Sequence, residues 1–444
     1  MIWTIARKEL LDHFRSAKFL VSVALTVVLA AISTGVSGQD FRQRQQDFLD
    51  AQREMKGDGV EYVLLRAPQV LSTLINGKDR ILGNKAQVSH LRMPAGTTGY
   101  MGEDWSLHTV VVSGFAAVDF AFLVRVVLSL VVLFLAYNAV SEEKSNGTLR
   151  LVLANPVARH EILVGKFIGG IAVVGTALLA ATAISLLLIA LDPKVALGGS
   201  DWVRIAGIVA FSALYLVFFY VLGLFVSVRV DRPSTALMVV LQVWIVLVVL
   251  YPNLATMVAA SVRPLPSAQE IAQEKAALFE PHRAEFDAVS NRFEAAVMSN
   301  KEDSEASQRW KELWILQQEL NWRVDEEQRR LQNEQASLAK QLSLLSPAVL
   351  YDRVVTSYAQ TDLVDYDRFM GGVYRVWKQL ADRALAPRRA RGTEAEPTLP
   401  TFVAATTSWQ DRFVASAPEW TILLLLSVLL FVAAYVAFLR KDAR

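Results

Sequence analysis

With 444 residues, 53% of them hydrophobic, and a mean hydropathy of +0.32, the chain exceeds the ~45–50% apolar content of a soluble globular protein. The formal net charge of +2 is too small to argue for a nucleic-acid partner, and the absence of cysteine excludes disulfides and thiolate metal sites. The apolar excess lies in long runs between charged stretches, the pattern of an integral membrane protein with large soluble insertions.

Residues 1–17 predict an amphipathic helix in the membrane-surface plane. Ile2, Trp3, Ile5, Ala6, Leu10, Phe14 and Ala17 recur at three-to-four spacing with charges between them. The apolar run from Phe19 to about Ser33 follows eighteen residues, too many for the brief basic region of a cleaved leader, so 18–36 is read as a retained span. A spanning helix needs ~20 mostly apolar residues. Five further segments qualify: 120–140, 161–191, 202–228, 234–258 and 419–439.

The short connections fix direction. Arg7, Lys8, Arg15 and Lys18 precede the first span, Lys144, Arg150 and Arg159 join the second and third, Arg229 and Arg232 join the fourth and fifth, and Arg440, Lys441 and Arg444 follow the sixth. With six spans all four clusters share one side, and the positive-inside rule puts that side and both termini in the cytoplasm. Trp202 and Trp420 at span ends fit interfacial anchoring. Asp119 and Arg125 at the outer end of the second span, Asn138 near its inner end and Gln242 in the fifth are candidates for a polar substrate path. Snorkelling of Arg125 and helix–helix hydrogen bonding by Asn138 and Gln242 explain them more simply.

Two large segments are expected outside. Residues 37–119 open on a charged extension of the first span and continue through Pro- and Gly-punctuated loops. Residues 259–418 predict a mainly helical domain. Phe279, Phe286 and Phe293 recur every seven residues, and a second stripe runs from Trp310 through Leu313, Leu320, Val324 and Leu331 to Leu345. Two such helices about a polar turn read as a long antiparallel hairpin, its first arm broken at Glu280-Pro281. Trp310, Trp314 and Trp322 are candidates for an extracytoplasmic partner surface, with packing on the opposite arm the plainer alternative. Asp362, Asp365 and Asp367 are explained by helix capping. The fold class is therefore an all-α membrane protein of six transmembrane helices with a mainly helical extracytoplasmic domain.

The connection 141–160, which begins AVSEEKSNGTLRLVLANPVARH from Ala139, predicts a short amphipathic helix over 142–154. Ser141 would cap it, Glu142 and Glu143 favour its positive end, Gly147 permits a bend, and Asn155-Pro156 ends it. The order Glu142, Glu143, Gly147, Thr148, Leu149, Leu153, Pro156, Arg159 and Lys166 resembles the signature of ABC transporter type 2 permeases, and ARKELLDHFRSAKF resembles that family's membrane-surface helix. The resemblance implies a permease of the bacterial inner membrane, paired with a second permease, identical or not, and driven by two cytoplasmic ABC ATPase subunits. It further implies that those nine residues form the ATPase-coupling element. Many members have short outer loops. Here LLSPAVLYDRVVTSYAQTDLVDYDRF resembles a subfamily with large extracytoplasmic inserts.

No G-x-x-x-x-G-K-[ST] loop is present, and the five histidines lack metal-ligand spacing. The chain is not expected to be an enzyme or to hold a cofactor or metal. ATP and Mg would belong to the partner ATPase. Three readings stay open: ATP-driven export or extraction, mechanotransmission to an extracytoplasmic partner, and a non-transport scaffold or sensor in contact with membrane lipid.

Overall fold

The computed structural model describes residues 1–54, 62–77, 85–88, 118–148, 157–299, 303–385 and 407–440. Helix α1 (Ile2–Arg15) turns at Ser16 into α2 (Ala17–Glu54). The Ser16 hydroxyl closes one helix and opens the next, donating to His13 O (2.7 Å) and accepting from Phe19 N (3.3 Å). A short antiparallel ribbon follows, β1 (Tyr62–Leu65) with β2 (Lys85–Val88), in register Tyr62 to Val88. Then come α3 (Phe120–Ser145), α4 (Arg159–Ala190), α5 (Gly199–Arg229) and α6 (Pro233–Val262). The remaining helices are α7 (Ala268–Met298), α8 (Ser304–Leu342), α9 (Pro347–Ala359), α10 (Leu363–Leu385), α11 (Trp409–Ala415) and α12 (Ala417–Leu439). Six helices, α2, α3, α4, α5, α6 and α12, are long and apolar enough to cross a membrane. The ribbon is the one departure from the all-α expectation among the described residues.

Helix α5 is the hub of the bundle. Of its apolar stretch 67% is buried inside the chain, against 17% for α6 and 22% for α12. A helix apolar on every side belongs in an interior. Phe211, Tyr215, Phe219 and Leu224 accordingly sit fully buried. The outward faces of α2, α6 and α12 need lipid or another chain as cover. Small residues set the approach on α4. A Cβ at Gly165 would stand 2.8 Å from Ile5, and one at Gly169 2.8 Å from Glu9 Cβ, so α1 lies directly on α4.

Two spans depart from α geometry: Leu123–Leu128 of α3 and Ile245–Leu250 of α6 are π-helical. Carbonyls in both stretches are met by neighbours. The Tyr215 hydroxyl donates to Arg125 O (2.8 Å) and the Ser346 hydroxyl to Leu247 O (2.9 Å). In hydrocarbon an unmet carbonyl costs several kcal/mol.

Beyond the bundle, α7 and α8 run antiparallel. Phe293 stacks on Trp310 (5.1 Å), Phe286 on Trp314 (6.2 Å), and Lys275 pairs with Asp325 (2.6 Å). Helix α8, at ~1.5 Å per residue, is about 58 Å long. Pro281 does not break the first arm, since α7 continues through it. Its position on an exposed face lets water satisfy the freed carbonyl. Trp322 departs from the opposite-arm alternative, stacking on Tyr374 of α10 (4.4 Å) beneath the Arg329 guanidinium. A second core joins Ile315 of α8, Phe369, Val373 and Trp377 of α10, and Leu64, Ala86 and Val88 of the ribbon. Helix α9 is no surface element. Leu350, Tyr351, Val354, Val355 and Tyr358 are all buried against the bundle.

A Cβ at Gly170 would lie 1.9 Å from the Tyr220 hydroxyl oxygen of α5. Gly170→Ala should cost ~1–3 kcal/mol by overpacking, read as a lower melting temperature in detergent. The Gly170→Ala/Tyr220→Ala double variant should be more stable than the two single losses added together. Simple additivity would show that these helices do not meet there.

Candidate functional site

The connector begins in the last turns of α3 and is pinned there by α5. The Ser227 hydroxyl oxygen accepts from Val140 N (2.9 Å) and Ser141 N (3.1 Å). Ser141 itself does not cap the helix, because its hydroxyl donates back to Tyr137 O (3.1 Å). The helical turn covers Ser141–Ser145 and is stopped by Gly147, whose φ of +73° is left-handed. A helix continuous over 142–154 is therefore not formed. Glycine alone takes this φ without a steric penalty. The Thr148 hydroxyl folds back to donate to Glu143 O (3.1 Å). Leu149, Leu153 and Pro156 lie outside the described residues.

Three side chains distant in sequence converge behind this turn. The Lys166 ammonium of α4 donates to Glu9 Oε1 of α1 (2.6 Å) and to Glu143 Oε1 of the connector (2.8 Å). Lys166 is only 4% exposed. One buried cation thus holds two carboxylates and ties three segments together, while Glu143 Oε2 is buried with no hydrogen-bond partner among the described residues. The Lys166 backbone carbonyl is fixed in turn by the Tyr220 hydroxyl of α5 (3.1 Å). On α1, burial holds His13 below its ordinary value, and the Lys166 charge adds to that effect.

In the chain by itself the Glu143 carboxylate turns inward to Lys166. Lys166 likewise anchors from inside the bundle. Glu142 accepts from the Asn138 amide. Lys144 pairs with Asp231 between α5 and α6 (2.5 Å), and the Arg159 guanidinium donates to Leu439 O at the end of α12 (2.7 Å). Five helices are thus linked at this end of the bundle.

The other polar candidates do not converge. Asp119 caps α3, accepting from Phe122 N (2.8 Å) and Asn76 N (3.0 Å). Arg125 pairs with Asp352 of α9. Burial pushes the Asp352 carboxyl up to about 6, against the pull of Arg125. Gln242 is exposed on α6, and no partner for it is seen among the described residues. Trp310 and Trp314 are half-buried in one aromatic stack, 5.4 Å apart. Asp362 caps α10, accepting from Asp365 N (3.2 Å), whereas the Asp365 carboxylate accepts from buried Arg412 of α11 (2.6 Å), which also lies near Asp362 (3.8 Å).

Sequence reasoning singled out Glu143 and Lys166 but missed Glu9. The available signal was a carboxylate at helical spacing from Ile2, Ala6 and His13, inside an otherwise apolar stripe.

A family model described as ABC-2 family transporter protein matches residues 3–443. Over 135 residues the chain is 34% identical to the Probable ABC transporter permease protein NosY of Stutzerimonas stutzeri. That alignment covers 30% of this chain and 48% of the relative, so the chain spans about half the length of that protein.

Lys166→Met should leave two carboxylates buried without a cation. Removing one partner of a buried ion cluster costs ~3–5 kcal/mol. The variant should melt well below the wild type in detergent. Glu9→Gln/Glu143→Gln/Lys166→Met, which removes all three charges, should recover much of the loss. A single variant as stable as wild type would show that the cluster is not holding α1 and the connector together.

Proposed function

The chain belongs to the ABC-2 family of transporter proteins, and from that premise we propose that it is the permease subunit of an ABC transporter driven by a separately encoded ATPase. The observation that carries the proposal is the Lys166 cluster. It joins the surface helix α1 and the connector turn to the span α4 through a buried cation. A motor moves membrane helices only through contacts that differ between its nucleotide states. Force applied to the connector would reach α4 and α1 without being lost in a flexible loop. In this reading Leu149 and Leu153 fill an apolar pocket of the ATPase, with Gly147 setting the angle at which they leave the bundle. Both termini and the connector face the cytoplasm, residues 259–418 face outward, and a second permease subunit covers part of the exposed apolar surface.

Export or extraction of a substrate is the leading activity. Mechanotransmission is the second reading, and the placement of α9 favours it. Helix α9 is buried against the spans and follows α8 after a tight turn capped at Ser346. Movement of the spans would therefore be passed to the long outer hairpin. Substrate flux that survives cross-linking of the hairpin would favour export. Loss of all action with the hairpin fixed would favour mechanotransmission.

Two experiments test this reading. With its ATPase co-expressed, wild type should stimulate ATP hydrolysis, and the chain alone should hydrolyse none. Gly147→Pro forces φ to about −65°, and Leu149→Asp buries a charge. Each should insert normally yet abolish co-purification or stimulation. Unchanged stimulation in both would remove the connector from the coupling role. For topology, Asn300→Cys should react with an impermeant maleimide in intact spheroplasts, and Ser145→Cys only after lysis. The reverse pattern would overturn the orientation.

A further inference from the structure

Beside the connector, α5, α12 and the α5–α6 turn enclose a cavity of about 650 Å³. Its long wall is aliphatic, built by Leu429, Val432 and Val436 of α12. All three are exposed on the chain, Leu429 by 64%, so the wall opens sideways toward the surroundings of the bundle. The cations Lys144, Arg229 and Arg440 gather at one end of it with a single carboxylate, Asp231. Lys144 takes up that carboxylate. Arg229 lies along the Phe225 ring (5.6 Å). Among the described residues neither Arg229 nor Arg440 has an acidic partner.

The cavity therefore offers, at one end, two guanidiniums without an acidic partner among the described residues, and a hydrocarbon wall along the exposed face of α12. That arrangement matches one kind of molecule, an amphiphile with an anionic head. We propose that this is a binding site for an anionic phospholipid of the cytoplasmic leaflet. The assignment of leaflet rests on the orientation proposed above. The binding itself does not, and the assay below is independent of how the chain sits in a cell. Basic pockets between spans at a membrane surface hold anionic headgroups by charge and hydrogen bonding. A free phosphate would meet the guanidiniums but leave the aliphatic wall unused. A zwitterionic headgroup brings an ammonium that two guanidiniums repel. The volume falls within the ~300–1,000 Å³ of small-molecule sites. The position also places the headgroup beside Lys144, next in sequence to Glu143, so an occupied site would brace the connector.

The test uses the purified full-length chain in neutral detergent, with native mass spectrometry and thermal melting as readouts. Phosphatidylglycerol should be retained as a bound lipid and raise the melting temperature, whereas phosphatidylethanolamine and glycerol phosphate should do neither. Arg229→Gln/Arg440→Gln should weaken phosphatidylglycerol binding on the order of tenfold or more. Val432→Trp, which fills the wall and leaves both charges, should weaken it as well. Arg232→Gln removes a cation three residues away that does not line the cavity, and should bind like wild type. The proposal is overturned if the double variant binds like wild type, or if Arg232→Gln loses as much as the double variant, which would mean diffuse surface charge. It is also overturned if glycerol phosphate or phosphatidylethanolamine matches phosphatidylglycerol, or if Val432→Trp has no effect.

Discussion

An ammonium group with almost no access to water cannot stay charged inside a bundle unless anions come to it. Lys166 meets this constraint with Glu9 and Glu143, and three segments must be in place for it to be met. Surface ion pairs contribute ~0–1 kcal/mol and could not fix a helix to a membrane protein. A buried cluster differs because its broken states are so costly. Its contribution is less to net stability than to the exclusion of arrangements in which α1 or the connector drifts away. The glycines of α4 serve the same end, since a side chain at 165 or 169 would lift α1 and carry Glu9 out of reach.

The rest of the bundle follows from a hub buried on all sides. Helix α5 supplies Ser227 to the connector, Tyr220 to the Lys166 carbonyl and Tyr215 to the π-helical stretch of α3. Three hydroxyls on one helix thus meet backbone groups at both ends of the bundle. Such bonds between spans average ~0.6 kcal/mol, so their value lies in fixing one packing arrangement rather than in summed energy. The ends away from the connector are tied more heavily. Arg353 pairs with buried Glu419 (2.8 Å), and Arg412 joins Asp365 to the backbone of α9 at Ser357 O (2.7 Å).

The six long apolar helices were legible in the sequence because hydrocarbon leaves a spanning segment no alternative to an apolar helix of fixed minimum length. Their internal irregularities were not. LVRVVL and IVLVVL read as ordinary helix, and they become π-helical where neighbours such as Tyr215 and Ser346 can take the displaced carbonyls. The connector was legible as a place but not as a geometry. Glu143 and Lys166 stood out, yet nothing local says that they face each other, and Glu9 lies 157 residues from Lys166. Pro281 misled because the rule against proline in helices assumes that the freed carbonyl has no solvent. In α9, Leu350, Tyr351, Val354, Val355 and Tyr358 form a broad apolar face at helical spacing, and that face is the one buried against the bundle.

The two ends of the bundle differ in a way that bears on how force could pass through it. At the connector end, the helical turn is followed by a single glycine in a left-handed conformation. At the other end, α9 packs by aromatic rings rather than by a loop: Tyr351 against Tyr215 (4.7 Å), and Tyr358 against Phe413 (4.4 Å). Packed rings transmit displacement because interiors are nearly incompressible. Tyr215 lies on the same helix as Tyr220, whose hydroxyl holds the Lys166 carbonyl. A path therefore runs from Glu143 through Lys166 to Tyr220, along α5 to Tyr215, and on to Tyr351 of α9, which follows the hairpin helix α8 in the chain. Spatial continuity is not by itself coupling. It does mean that a hairpin domain of this size need not move independently of the spans.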